Sequence, residues 1–180
     1  MRMTDGRYDR DRLRLSVAFR LINLEARTRT IRDATQLSDD RIRKLYRDYV
    51  KSEPGTRIRR RRGKSPRQMS FFRRSPEHEL QAATLGSMMR SCGLLAKRSP
   101  PLVLSLIEVN RLCDVYESHR QLCSTPLISF EHAWYLRQVL ARDDEWVLTI
   151  CRDCRCLWIR DMLDLLPEVC VVCRRDISMS

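Results

Sequence analysis

Two cysteine pairs near the C-terminus carry the clearest chemistry in the chain. Cys151-Arg-Asp-Cys154 and Cys170-Val-Val-Cys173 are separated by 15 residues. A two-residue spacer lets one tight turn present two sulfurs to a single ion. Two such turns close a tetrahedron of thiolates around Zn2+. Four protein ligands leave no open position for water, so the spacing predicts one structural zinc per chain rather than a catalytic one. Cys156 adds a nearby thiol that could replace Cys154 as ligand. Redox C-x-x-C pairs and reactive free thiols are the competing readings of the same residues. Cys92, Cys113 and Cys123 fall on helical patterns and are expected to be structural, since buried free cysteine is common. The same holds for His78, His119 and His132, although His119 and Cys123, four apart, can share a helix face.

A second concentration of chemistry is cationic. Lys plus Arg number 35 against 23 Asp plus Glu, a formal charge of +12, and residues 51–75 alone carry a balance of +9. The peak is Arg57, Arg59, Arg60, Arg61, Arg62, Lys64 and Arg67, with no acid among them. Packed side by side in a fold, these groups would repel one another. Laid against a polyanion, they displace condensed counterions. A solvated linker, an acidic protein or an anionic lipid are the alternatives, but no amphipathic lipid-binding helix accompanies the run.

What lies just upstream favours nucleic acid. Thr30–Tyr46 fits a helix-turn-helix: Ala34 is small where two helices cross, Ile31, Leu37, Ile42 and Leu45 are apolar pegs, and Gln36 sits at the turn. A left-handed residue is needed there, and outside glycine it costs on the order of 1 kcal/mol. The second helix would enter the major groove N-terminus first, with Ser38, Asp40, Arg41, Arg43, Lys44 and Arg47 as candidate contacts. Arginine at a base edge favours guanine, and Asp can accept from cytosine.

The elements that must position these groups are mostly helical. The chain has 180 residues, 43% of them apolar, which is enough for a core, and only 5 glycines, which argues against a nucleotide-binding α/β fold. Apolar periodicity predicts helices over 10–30, 38–50, 76–97, 102–122 and 128–149, with Ser38 capping the second and Pro76 opening the third. Leu157-Trp158-Ile159 predicts one short strand, and no strand alternation is seen before residue 150. The expected fold is mainly α: a helix-turn-helix-like unit over 1–51, a basic connection over 52–75, a helical body over 76–150 and a four-cysteine zinc module over 151–180. No apolar run approaches the ~18 residues of a membrane span. The N-terminus lacks the apolar segment of a secretory signal, so a reducing cytoplasm is expected. No catalytic motif such as G-x-S-x-G, H-E-x-x-H or a Walker loop is present, so no enzyme is expected.

The residues also point to a family. Ala18-Phe19-Arg20-Leu21-Ile22-Asn23-Leu24-Glu25-Ala26-Arg27, then Thr35-Gln36-Leu37-Ser38 and Arg41-Ile42-Arg43-Lys44-Leu45-Tyr46, resemble FlhC, the C subunit of the bacterial flagellar master transcriptional regulator. Cys123, Pro126-Leu127 and Ala133-Trp134-Tyr135-Leu136 recur in similar places and lead into the cysteine pairs. The resemblance implies an activator subunit that works with a small helical FlhD-like partner in a hetero-oligomer, binds double-stranded promoter DNA and stimulates RNA polymerase. It implies flagellar target genes, or the transfer genes of a conjugative element, and it carries the family's zinc ligands onto Cys151, Cys154, Cys170 and Cys173. The contrasting expectation is a zinc-stabilised helical scaffold whose basic segment holds nucleic acid or an acidic protein.

Overall fold

The computed structural model describes residues 3–52, 61, 63–95, 104–165 and 168–178. Among them the chain is mainly helical, with seven α-helices, one short 3-10 helix and two strands. In chain order these are α1 (Met3–Asn23), α2 (Thr28–Thr35), α3 (Asp39–Ser52), the 3-10 helix (Met69–Arg73), α4 (Pro76–Ser91), α5 (Leu106–Leu122), α6 (Phe130–Leu140), β1 (Trp146–Ile150), β2 (Leu157–Asp161) and α7 (Val171–Ser178). The residues cluster into two units: Met1–Ser65 with Val103–Cys113, and Pro66–Leu102 with Asp114–Ser180. The helix α5 therefore contributes its first turns to one unit and the rest to the other.

In the first unit, α1, α2 and α3 pack pairwise. The single helix expected over 10–30 is two helices. Glu25 interrupts it at φ 57°, and the carbonyls of Leu21 and Ile22 are capped by the amides of Ala26 and Glu25. No glycine or proline marks that break, so periodicity alone runs through it. Val17, Ala18, Leu21 and Ile22 of α1 are buried, as are Ile31 and Ala34 of α2, Leu37 in the turn, and Ile42 and Tyr46 of α3. Arg20 ties α1 to Asn110 of α5 at 2.6 Å.

The second unit is organised around α4, which packs against α6, α7, both strands and the 3-10 helix. Ser75 caps α4 by accepting from the His78 amide, with Pro76 in the first turn, and Ser129 caps α6 by accepting from the His132 amide. Gly86 sits where α4 meets α6 and β1: a Cβ there would stand 3.1 Å from Leu140 Cδ1 and 3.3 Å from Leu148 Cδ1. The helix expected over 76–97 ends at Ser91, and the one expected over 128–149 ends at Leu140. Trp146–Ile150 is a strand, paired antiparallel with Leu157–Asp161 in the register Leu148 to Ile159. The expectation of no strand before residue 150 is therefore wrong. Asp143 at φ 53° breaks the helical path, and the β-branched and aromatic run Trp-Val-Leu-Thr-Ile then extends.

Candidate metal centre and candidate nucleic-acid face

The β1–β2 hairpin delivers the first cysteine pair. Cys151 follows β1 directly, and the loop back to β2 closes with the Cys151 amide donating to the Cys156 carbonyl at 2.8 Å. Inside it the Arg155 amide donates to the Cys151 carbonyl at 3.1 Å, and Arg155 is left-handed at φ 62°. Arginine thus occupies the position after the pair where zinc knuckles commonly carry glycine. The second pair is delivered by a helix start: Cys170 immediately precedes α7 and Cys173 lies in its first turn, with the Arg174 amide donating to the Cys170 carbonyl at 3.0 Å.

The two pairs converge. The Sγ atoms of Cys151, Cys154, Cys170 and Cys173 all lie within 4.8 Å of one another, with Cys154 and Cys170 at 3.6 Å. Four thiolates about 2.3 Å from one zinc-sized ion would stand roughly 3.8 Å apart, so the quartet has the dimensions of a tetrahedral site. Cys156 is exposed and stands outside it. Cys151 and Cys170 are buried with Ala83, Trp158 and Val169, and Cys173 packs against that cluster.

The electrostatics also suit a cation. Burial opposes charge on the Cys151 thiol. Hydrogen bonds from the backbone of Cys154, Cys170 and Asp153, with the Cys154 thiol, outweigh it and bring the group down to about 6. The Cys170 amide reaches the Cys151 sulfur at 3.2 Å. Burial pushes Cys170 up, and Cys173 is pushed up chiefly by its hydrogen bond with the Cys154 thiol. Sulfurs this close resist ionising together, and a divalent ion between them removes the conflict.

The second candidate site lies on α2 and α3. These helices are joined by Gln36, Leu37 and Ser38, with Gln36 left-handed at φ 59°, ψ 23°. Its side chain donates to the Asp33 carbonyl at 3.0 Å, which offsets part of the cost of that conformation. The Ser38 hydroxyl accepts from the Arg41 amide at 3.3 Å. Ile31 and Ile42 are fully buried, Ala34 and Leu37 nearly so, and Leu45 is half-buried. On the opposite side of α3, Ser38, Asp40, Arg41, Arg43, Lys44 and Arg47 are all exposed. Arg43 is paired to Asp40 at 2.7 Å, which leaves Arg41, Lys44 and Arg47 as the cations of that face with no ion pair among the described residues.

Of the basic run, Arg57, Arg59, Arg60 and Arg62 lie outside the described residues. Arg61 is described, and its guanidinium pairs with Glu25 at 2.9 Å. The neighbouring Lys64 carbonyl accepts from Arg27, so this part of the run lies against the α1–α2 turn. Lys64 and Arg67 are exposed. In the second unit the Tyr135 hydroxyl donates to the Arg67 carbonyl at 2.8 Å.

Sequence reasoning missed two features. The Tyr46 hydroxyl donates to the Ala26 carbonyl at 2.7 Å and so fastens α3 to the turn between α1 and α2. His78 and His132, isolated in sequence, both pack on Phe71: His132 stacks on it at 3.6 Å and His78 meets it edge-on at 5.1 Å. The shared Ser-x-x-His spacing of Ser75/His78 and Ser129/His132 was the signal that could have found them, because each serine hydroxyl also lies within 3.0 Å of its histidine Nδ1. His119 and Cys123 do share a face: His119 Nε2 lies 3.0 Å from the Gln81 carbonyl and 3.6 Å from the Cys123 sulfur. Burial lowers the pKa of His119, against the raising effect of the Gln81 bond.

No family model matches the chain, and no curated protein matches it. No helix among the described residues is long and apolar enough to cross a membrane.

Proposed function

We propose that this chain is the DNA-binding subunit of a FlhC-type transcriptional activator, held in shape by one structural Zn2+ and working with a FlhD-like helical partner. The single observation that carries the reading is the α2–α3 pair. Its left-handed turn at Gln36 and apolar seam of Ile31, Ala34, Leu37 and Ile42 leave a row of cations, Arg41, Lys44 and Arg47, along the exposed side of α3. In this reading α2 and α3 form a helix-turn-helix. The N-terminal end of α3 enters the major groove, where Ser38, Asp40 and Arg43 meet base edges and the remaining cations grip phosphates. The basic segment adds phosphate contacts through Arg57, Arg59, Arg60, Arg62, Lys64 and Arg67. The Arg43–Asp40 pair opens when Arg43 turns to a base, at small cost because both groups are exposed.

The resemblance to FlhC supplies the rest: promoter DNA as target, activation through RNA polymerase, a cytoplasmic setting, and flagellar or conjugative-transfer genes as the regulated set. Zn2+ is the ion the quartet suits best, because four thiolates in a tetrahedron match its preferred ligands and geometry. The metal would be held by Cys151, Cys154, Cys170 and Cys173, and would stabilise a hairpin and helix start too small to bury much area alone.

The test is selection of duplexes from a random pool by the full chain together with its partner. The reading predicts enrichment of one motif, and Arg43→Ala relaxes one position of it at a cost of about 1–3 kcal/mol. A pool that stays random at every salt concentration would refute sequence-specific recognition.

A further inference from the structure

We propose that Cys156 is an oxidation site that couples the metal centre to peroxide: oxidised Cys156 captures Cys154 as a disulfide and withdraws it from the quartet. This rests on reading the quartet as a metal site. The five cysteines of the module differ sharply in access. Cys151 is 0% exposed and Cys170 6%, whereas Cys154 is the one exposed member of the quartet. Cys156 is exposed as well, stands outside the quartet, and has no ligand role to hold it. Cys154 and Cys156 sit two residues apart on the same tight loop and line the same cavity, about 210 Å³, between α4, β2 and the start of α7. That cavity is walled largely by apolar groups such as Leu80, Leu157, Trp158 and Val172. A neutral disulfide suits such a wall better than a thiolate stripped of its metal. The left-handed Arg155 between them turns the chain back on itself at this point.

The chemistry balances with hydrogen peroxide as the oxidant. The Cys156 thiolate attacks one peroxide oxygen, the O–O bond breaks, Cys156 becomes a sulfenic acid, and the departing hydroxide takes up a proton from solvent as water. The Cys154 sulfur, withdrawn from the quartet, then attacks the Cys156 sulfur. The S–S bond forms, the S–O bond breaks, and the hydroxide takes up a proton as a second water. Two thiols have lost two electrons, and one peroxide has gained them. Three sulfurs of the quartet would remain to hold an ion, which would then be bound more weakly. A thiol reductant with added zinc restores the starting state.

The experiment treats the full chain with equimolar hydrogen peroxide, follows metal release with a chromogenic chelator, and maps disulfides by mass spectrometry. The wild type is expected to release its metal and yield a Cys154–Cys156 peptide lighter by two hydrogens. Cys156→Ser is expected to keep its metal under the same treatment and to match the wild type in metal content before it. Cys92→Ser, which removes an exposed thiol on another element, is expected to behave as wild type. Metal loss from Cys156→Ser at the wild-type rate, or a disulfide that excludes Cys156, would overturn the proposal. If the untreated protein holds no metal, the metal reading fails instead, and the disulfide map still decides which cysteine pair oxidises.

Discussion

At the scale of single residues, the chain makes unusual choices where glycine is common. Gln36 and Arg155 both occupy left-handed positions, and neither is glycine. Replacing Gln36 by valine adds branching to that conformation and is expected to destabilise the first unit by about 1–2 kcal/mol in denaturant unfolding. Gln36→Gly should not destabilise it. Removing the Tyr46 hydroxyl leaves the Ala26 carbonyl buried without its donor, so Tyr46→Phe should cost about 1–2 kcal/mol by the same measurement. The cysteines give a third expectation. Cys170→Ala removes a buried member of the quartet and, on the metal reading, should abolish stoichiometric metal binding with a lowered melting temperature, whereas Cys156→Ser should leave metal content unchanged. Acid should act in the same direction. Cys151 is depressed from 9.0 to about 6, so its ionised form contributes stability that is present above the unfolded value and lost as pH falls through about 6. Metal retention measured against pH should likewise fall on acidification, because protons compete with the ion for all four sulfurs.

At the scale of elements, the α4–α6–β1 junction leaves no room for a side chain at Gly86. Gly86→Val would drive methyl groups into Leu140 and Leu148, and overpacking of this kind costs about 1–3 kcal/mol, more than the gain in helix propensity returns. A clear drop in thermal stability is expected, and an unchanged melting curve would show that the junction can open to admit the larger residue. This is also where sequence reading failed. Trp134, Leu136, Val139 and Leu140 set up a helical period that Trp146 and Val147 happen to continue. The strand that holds Trp146 and Val147 exists because it pairs with Leu157–Asp161 across a cysteine loop, a non-local fact that periodicity does not carry. The helix starts at Ser38 and Pro76 were legible because start signals are local chemistry, whereas the Ser75 cap itself was not read. The end of α1 at Asn23 was not legible, because its break is made by Glu25 in a conformation usually left to glycine.

At the scale of the whole molecule, the convergence of the four cysteines was the most legible feature. Two C-x-x-C pairs at this interval are the pattern of a four-sulfur site, whereas the hairpin and helix start that deliver them were only half anticipated. The cationic face of α3 and the basic run were legible residue by residue, but not their pairing: on α3 Arg43 is engaged with Asp40, and in the basic run Arg61 is engaged with Glu25 of the α1–α2 turn. The most direct test of DNA binding through α3 is the salt dependence of duplex binding by the full chain, wild type against a variant with Arg41, Lys44 and Arg47 all changed to alanine. Affinity is expected to fall steeply with salt, and the slope to be shallower in the variant by ~0.9 for each phosphate that the variant no longer neutralises. Identical slopes for the two proteins, or no binding even at low salt, would contradict it.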